Sequence, residues 1–178
     1  MITIRGANGG GKTTLLRTLI GLTPPLSGRV HRPRTLRVAY VPQQLHVKED
    51  FPLTVAESVV MGLPRGTSRA DGQERVRDAL RCVNLSDRSG GWLFALSVGQ
   101  RQRAFIARAL VARAAILALD EPTASLDDDH AERVQDLLKS HQDRGGVVLM
   151  VTHDQRKPRD DARELVIENG TLTETRKS

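Results

Sequence analysis

Apolar and polar residues alternate over 1–5, the two-residue period of a short strand, before the chain breaks into Gly6-Ala7-Asn8-Gly9-Gly10-Gly11. Leucines at 15, 16, 19 and 22 then follow at helical spacing and predict a helix over 12–22, which Pro24-Pro25 would stop. Residues 36–41 predict a second strand. Thr54 and Glu57 have capping-box spacing and open a predicted helix through Met61. Ser97 and Gln100 repeat that spacing ahead of a helix running to Ala112, and residues 70–83 read as an amphipathic helix between the two. The runs 116–119 and 147–151 are apolar throughout, as strands buried on both faces are. Residues 128–142 read as a helix with acids in its first turn. Asn169-Gly170 between 165–167 and 171–173 predicts a hairpin, because Asn-Gly supplies the positive φ angles of a type I′ turn.

Strands alternating with helices predict an α/β fold with a mainly parallel sheet. Residues 1–50 and 113–178 would form its core, and 51–112 an inserted helical subdomain of the same single domain. The length of 178 residues and the 39% hydrophobic content fit one globular domain. The longest apolar run, 114–119, is far short of the roughly 20 residues a membrane helix needs. With no apolar signal region and a single cysteine, Cys82, the chain is expected in the reducing cytoplasm.

Charge adds one further feature. Residues 1–48 hold eight basic side chains and no Asp or Glu, within a net charge of +6. Such a field favours an anionic partner, whether nucleic acid, a phospholipid surface or a polyphosphate, and equally describes a solvated basic face. Five aromatics (Tyr40, Phe51, Trp92, Phe94, Phe105) are too few for a base-stacking platform, so direct nucleic-acid binding is not expected.

The segment from Gly6 to Thr13 matches G-x-x-x-x-G-K-[ST], placed after a strand and opening a helix as that motif requires. Glycines let successive N–H groups curl around a β-phosphate, and the helix N-terminus adds positive potential. Lys12 would reach the β- and γ-phosphates, while the Thr13 hydroxyl would ligate Mg²⁺. Asp120-Glu121 ends an apolar strand at the sheet edge where α/β proteins bind ligands. There Asp120 would hold Mg²⁺ and Glu121 would orient and deprotonate an attacking water. On its own, a strand ending in two acids also reads as a surface loop, Ser97 as a plain helix cap, Gln43 as a turn residue and His153 as a structural histidine.

Taken together, the chain resembles the ATP-binding subunits of ABC transporters, over nearly its whole length and in the family's motif order. Residues 96–100 (Leu-Ser-Val-Gly-Gln) are similar to the LSGGQ signature, and Tyr40-Val41-Pro42-Gln43 to the Q-loop. Asp120 through Asp127 resembles the Walker B acids running into the D-loop, and Thr152-His153-Asp154 the switch histidine. The resemblance implies ATP and Mg²⁺ as cofactors, with 6–14 (Gly6, Ala7, Asn8, Gly9, Gly10, Gly11, Lys12, Thr13, Thr14) cradling phosphate. It implies that Gln43 senses Mg²⁺ and γ-phosphate, and that His153 contacts γ-phosphate and supports the attacking water. Ser97, Gly99 and Gln100 would face ATP held by a second, head-to-tail ATPase subunit, and Asp127 would help position the opposing site.

Integral-membrane permease subunits are then implied partners, docking after Gln43 near 51–61, a stretch similar to manganese- and zinc-type importers. The chain would sit peripherally on the inner face of the cell membrane, with a solute-binding protein if it serves an importer. The five histidines, His31, His46, His130, His141 and His153, are scattered, so a transported metal would be handled elsewhere. Two departures qualify the match. Val98 stands where the signature has its first glycine, adding β-branched bulk near the phosphate. The family's antiparallel strands and adenine-stacking aromatic ahead of the first strand are absent from the sequence, which fits a truncated chain, a late-assigned start or a short form. ATP and GTP are accordingly expected to bind with similar affinity. The rival functions are a non-transport ABC ATPase acting on nucleic acid or ribosomes, and a nucleotide-binding fragment with little hydrolysis.

Overall fold

The computed structural model describes residues 1–33, 35–43, 52–153 and 163–175. Phe51 and the rest of 44–51, the start of the predicted permease-docking segment, lie outside the described residues, as does Asp154 of the switch segment. The chain forms two compact units, one of 1–43, 115–124 and 138–178, the other of 44–114 and 125–137.

The first unit holds β1 (Ile2–Gly6), α1 (Lys12–Leu19), β2 (Val38–Val41), β3 (Ile116–Asp120), β4 (Val147–Val151), β5 (Arg163–Glu168) and β6 (Thr171–Thr175). The six strands make one sheet in the order β2-β3-β4-β1-β5-β6. Every neighbouring pair is parallel except β5 with β6. The apolar runs 116–119 and 147–151 become adjacent inner strands, as runs buried on both faces should. Ile4, Leu16, Ile20, Ala118, Leu149, Val151 and Ile167 form the core between α1 and the sheet. Asn169 and Gly170 take φ of 48° and 77°, the left-handed pair expected of the hairpin turn.

Helix α1 stops earlier than the leucine spacing predicts. It ends at Leu19 because Gly21 enters the left-handed region at φ 80°. Leu22 N–H then bonds to Arg17 O at 2.8 Å and Gly21 N–H to Thr18 O at 3.0 Å, a Schellman closure. The glycine ends the helix before the proline pair is reached. Likewise β2 starts at Val38, since Leu36 is tied into a turn by its N–H bond to Pro33 O.

The second unit holds α2 (Val55–Val60), α3 (Arg69–Cys82) and α4 (Val98–Val111), together with the first part of α5 (Asp128–Asp143). Both capping boxes predicted from spacing form, at Thr54 with Glu57 and at Ser97 with Gln100. Helices α2 and α3 both pack on α4, which buries Ala104, Ile106 and Ala107.

Candidate functional site

The strand order explains why distant residues meet. Strands β2, β3, β4 and β1 are parallel neighbours, so their C-terminal ends lie along one edge. Beyond those ends come Gln43, Asp120-Glu121, Thr152-His153 and the glycine loop, respectively. Residues 8–14 with Gln43, Glu121 and His153 line one cleft of about 370 Å³.

The glycines of the loop answer to specific demands. A Cβ on Gly6 would lie 2.3 Å from Ile167 O, so only glycine lets β1 run beside β5 at this point. Gly11 caps α1 in the left-handed region at φ 89° and supplies no side-chain cap. The first N–H groups of α1 therefore keep the anion-binding capacity of a helix start. Lys12 is 7% exposed, and its ammonium donates to Gly6 O at 3.0 Å and Ala7 O at 2.9 Å. These bonds fold the lysine back over its own loop.

Asp120 is 1% exposed, and neither carboxylate oxygen closes a hydrogen bond of standard geometry. The Thr13 and Tyr40 hydroxyls are its polar neighbours. Burial pushes the Asp120 carboxyl above its ordinary pKa, Glu121 adds to the rise, and Thr13, Lys12 and Tyr40 oppose it. A buried carboxylate with unspent oxygens beside a threonine hydroxyl is a hard, all-oxygen donor set, which fits Mg²⁺.

Glu121 takes φ 54°, a left-handed conformation that strains a residue with a Cβ. Its N–H bond to Val151 O at 2.9 Å holds it there. The bent backbone turns Glu121 into the cleft while Asp120, one residue earlier, stays buried. There Glu121 Oε2 pairs closely with His153 Nδ1.

Ser97, Gly99, Gln100 and Asp127 belong to the second unit. Ser97 Oγ accepts from Gln100 N–H at 3.2 Å, and Gln100 Oε1 accepts from Ser97 N–H at 3.0 Å. A Cβ on Gly99 would lie 2.8 Å from Ser125 O, so this glycine lets the backbone ahead of Asp127 approach α4. Val98 is 61% exposed at the first position of α4. Asp127 Oδ1 accepts from His130 N–H at 2.9 Å and meets His130 Nδ1 at 2.6 Å. The His130 backbone bond, then its side chain, hold the Asp127 carboxyl below the usual range.

Two contacts are not legible in the sequence. Arg103 is buried and donates to Val83 O at 2.8 Å and Asn84 O at 3.2 Å, satisfying carbonyls at the end of α3. Its place on the inner face of α4 follows from the helix register. Tyr40 faces Asp120, which only the strand order reveals.

The family model described as ABC transporter matches residues 1–124. The chain belongs to the ABC transporter family. Curated relatives of this ABC chain include two zinc import ATP-binding proteins ZnuC. The one from Roseobacter denitrificans is 42% identical over 86% of this chain and 58% of its own length. The one from Pasteurella multocida is 38% identical over 95% of this chain and 62% of its own length. The chain thus spans about three-fifths of the relatives it matches. Among solved ABC structures, the dimeric ATP-binding cassette MJ0796 bound to ADP and Pi superposes with TM-score 0.86 at 28% identity, covering 100% of this chain and 86% of the other. A metal-chelate type ABC transporter in an inward-facing conformation superposes with TM-score 0.82 at 28% identity, covering 98% of this chain and 71% of the other.

Proposed function

We propose that this chain binds MgATP and hydrolyses it as the ATP-binding subunit of an ABC transporter, energising import of zinc or another divalent metal. The single observation that carries this reading is the cleft that gathers the phosphate loop, Gln43, Glu121 and His153. Loop N–H groups and the start of α1 bind phosphate, and Lys12 exchanges its loop carbonyls for the β- and γ-phosphate oxygens. Thr13, Asp120 and Gln43 would hold Mg²⁺, which supplies neutralisation of the phosphate charge. Glu121 orients a water and takes its proton, while His153 keeps the carboxylate directed into the cleft.

Ser97, Gly99 and Gln100 serve the nucleotide of a second ATPase subunit, with Asp127 positioning that site. Among the described residues no helix is long and apolar enough to cross a membrane. In this proposal transport runs through separate permease subunits, with the chain peripheral on the cytoplasmic face and a solute-binding protein delivering the metal. The zinc-import relatives support this choice of cargo.

The test is Mg²⁺-dependent ATP hydrolysis by the chain, together with identification of what co-purifies with it from its native membrane. Turnover and a co-purified permease are expected. Copurification of RNA without a permease would overturn the transport assignment, and no Mg²⁺-dependent nucleotide binding would overturn the whole reading.

A further inference from the structure

Tyr40 lies on β2 in register with Ala118 of β3. Side chains alternate between the faces of a strand, so Tyr40, Ala118 and Asp120 project from the same face of the sheet. That face packs under α1, and Tyr40 is partly buried against the core cluster that includes Leu16, Ala118 and Val151. Its hydroxyl lies beside the Asp120 carboxylate.

Asp120 is surrounded by protein, and its two oxygens have no closed hydrogen bond. Two hydroxyls approach it, Thr13 from the start of α1 and Tyr40 from β2. A donor to a buried carboxylate is worth more than one between neutral groups, and without donors the carboxylate bears the full cost of burial. Thr13 is already committed, by its place after Lys12, to the phosphate and metal side of the site. Tyr40 approaches from the neighbouring strand, where the hydroxyl has no phosphate to serve.

We propose that Tyr40 is a positioning residue whose hydroxyl, beside Asp120 with no hydrogen bond closed in this structure, donates to the carboxylate when the site is loaded and fixes the orientation in which Asp120 and Thr13 together receive Mg²⁺. The same strand continues into Pro42-Gln43, so β2 sets both the Gln43 approach to the cleft and the hydroxyl behind Asp120. The inference deepens the MgATP reading and rests on it.

Tyr40→Phe keeps the packed ring and removes only the hydroxyl. Binding of a fluorescent ATP analogue to the full chain would be followed against Mg²⁺ concentration, and Mn²⁺ binding in the presence of ATP by its paramagnetic resonance signal. The Tyr40→Phe chain is expected to need on the order of tenfold more metal, the loss of one hydrogen bond to a charged group. Metal-free nucleotide affinity should be unchanged, because Lys12 and the loop amides are untouched. The chain has a single tyrosine, so its ultraviolet resonance Raman doublet reports Tyr40 alone. Asp120→Asn should shift that doublet toward a weaker donor.

Unchanged metal dependence in Tyr40→Phe, beside clear dependence in the parent, would overturn the positioning role and leave the MgATP reading standing. Loss of metal-free nucleotide binding would also overturn it, by making the hydroxyl part of the loop's own packing. A parent with no Mg²⁺-dependent binding would remove both.

Discussion

His153 Nδ1 closes onto Glu121 Oε2 although the two residues are 32 positions apart and follow different strands. The glutamate side chain is 5% exposed and the imidazole 59%, so the histidine covers the carboxylate from the solvent side. The parallel pairing of β3 with β4, which aligns Asp120 with Val151, brings the two side chains together. Under the MgATP reading, Glu121 is the base that takes the proton of the attacking water.

Glu121→Gln should therefore abolish turnover while ATP still binds. The amide cannot accept the water's proton, a loss of roughly 10²- to 10⁴-fold for general-base catalysis, whereas the phosphate loop and Asp120 are unchanged. Steady-state hydrolysis beside a binding isotherm checks it. Turnover near that of the parent would remove Glu121 from the role of base.

Lys12→Ala should act on binding instead. Under the MgATP reading the buried ammonium donates to the nucleotide phosphates, and its loss should weaken ATP affinity by about 10- to 100-fold, the worth of a hydrogen bond to a charged group. Calorimetric titration with MgATP measures this. Equal affinity in the two chains would mean that the loop amides alone hold the phosphates.

Gly99 and Val98, neighbours at the start of α4, should respond oppositely to alanine. Alanine favours a helix over glycine by about 1 kcal/mol, yet a Cβ at Gly99 meets backbone 2.8 Å away at Ser125 O. Overpacking of this kind costs about 1–3 kcal/mol, so the clash should win and Gly99→Ala should destabilise. Val98→Ala, at an exposed position, should be neutral or slightly stabilising. Urea denaturation of both chains decides the matter, and a stabilised Gly99→Ala would contradict the close approach.

What the sequence disclosed follows from which signals are local. The strand–glycine loop–helix turn over 2–19, the two capping boxes and the Asn169-Gly170 turn each depend on residues within a few positions, and all appear where their spacing predicts. The α1 terminus misled because Gly21 and Pro24-Pro25 are both breakers, and Leu22 continued the apolar pattern while remaining 57% exposed. The left-handed turn at Glu121 has no sequence marker, since strain of this kind is imposed by the surrounding fold. The Tyr40–Asp120 approach needs the knowledge that β2 lies beside β3, which no spacing along the chain contains. Asp127 was placed by motif alone, while its local work as cap of α5 went unread because His130, not Glu or Gln, stands at the reciprocal position.

That cap gives a pH dependence. The His130 N–H and imidazole hold the Asp127 carboxyl below its ordinary pKa in the folded chain. A depressed carboxylate contributes stability above its unfolded pKa and loses it as pH falls through the folded value. The stability difference between the parent and Asp127→Ala should be present at neutral pH and close on the acid side. Asp127→Asn, which keeps a capping oxygen, should retain part of it. Thermal melts across pH measure this, and a gap that widens in acid would contradict the cap.

The shared-site reading can be tested by complementation. The phosphate loop and the signature serine lie in different compact units of the chain, and MJ0796, which this chain resembles, is dimeric. If each nucleotide is held by one chain's loop and the other chain's signature, two different defects can complement. Lys12→Ala removes the loop's charge. Ser97→Asp keeps an oxygen to accept the Gln100 N–H, and so preserves the start of α4, while setting a negative charge against phosphate. Neither variant alone should turn over. In a mixture, the heterodimer has one site built from an intact loop and an intact signature, so part of the parent activity should return and depend on the mixing ratio. Circular dichroism of each variant confirms that both are folded before mixing. Complete absence of recovery, with heterodimers demonstrated by differential tagging and full activity in the parent homodimer, would place both halves of the site within one chain.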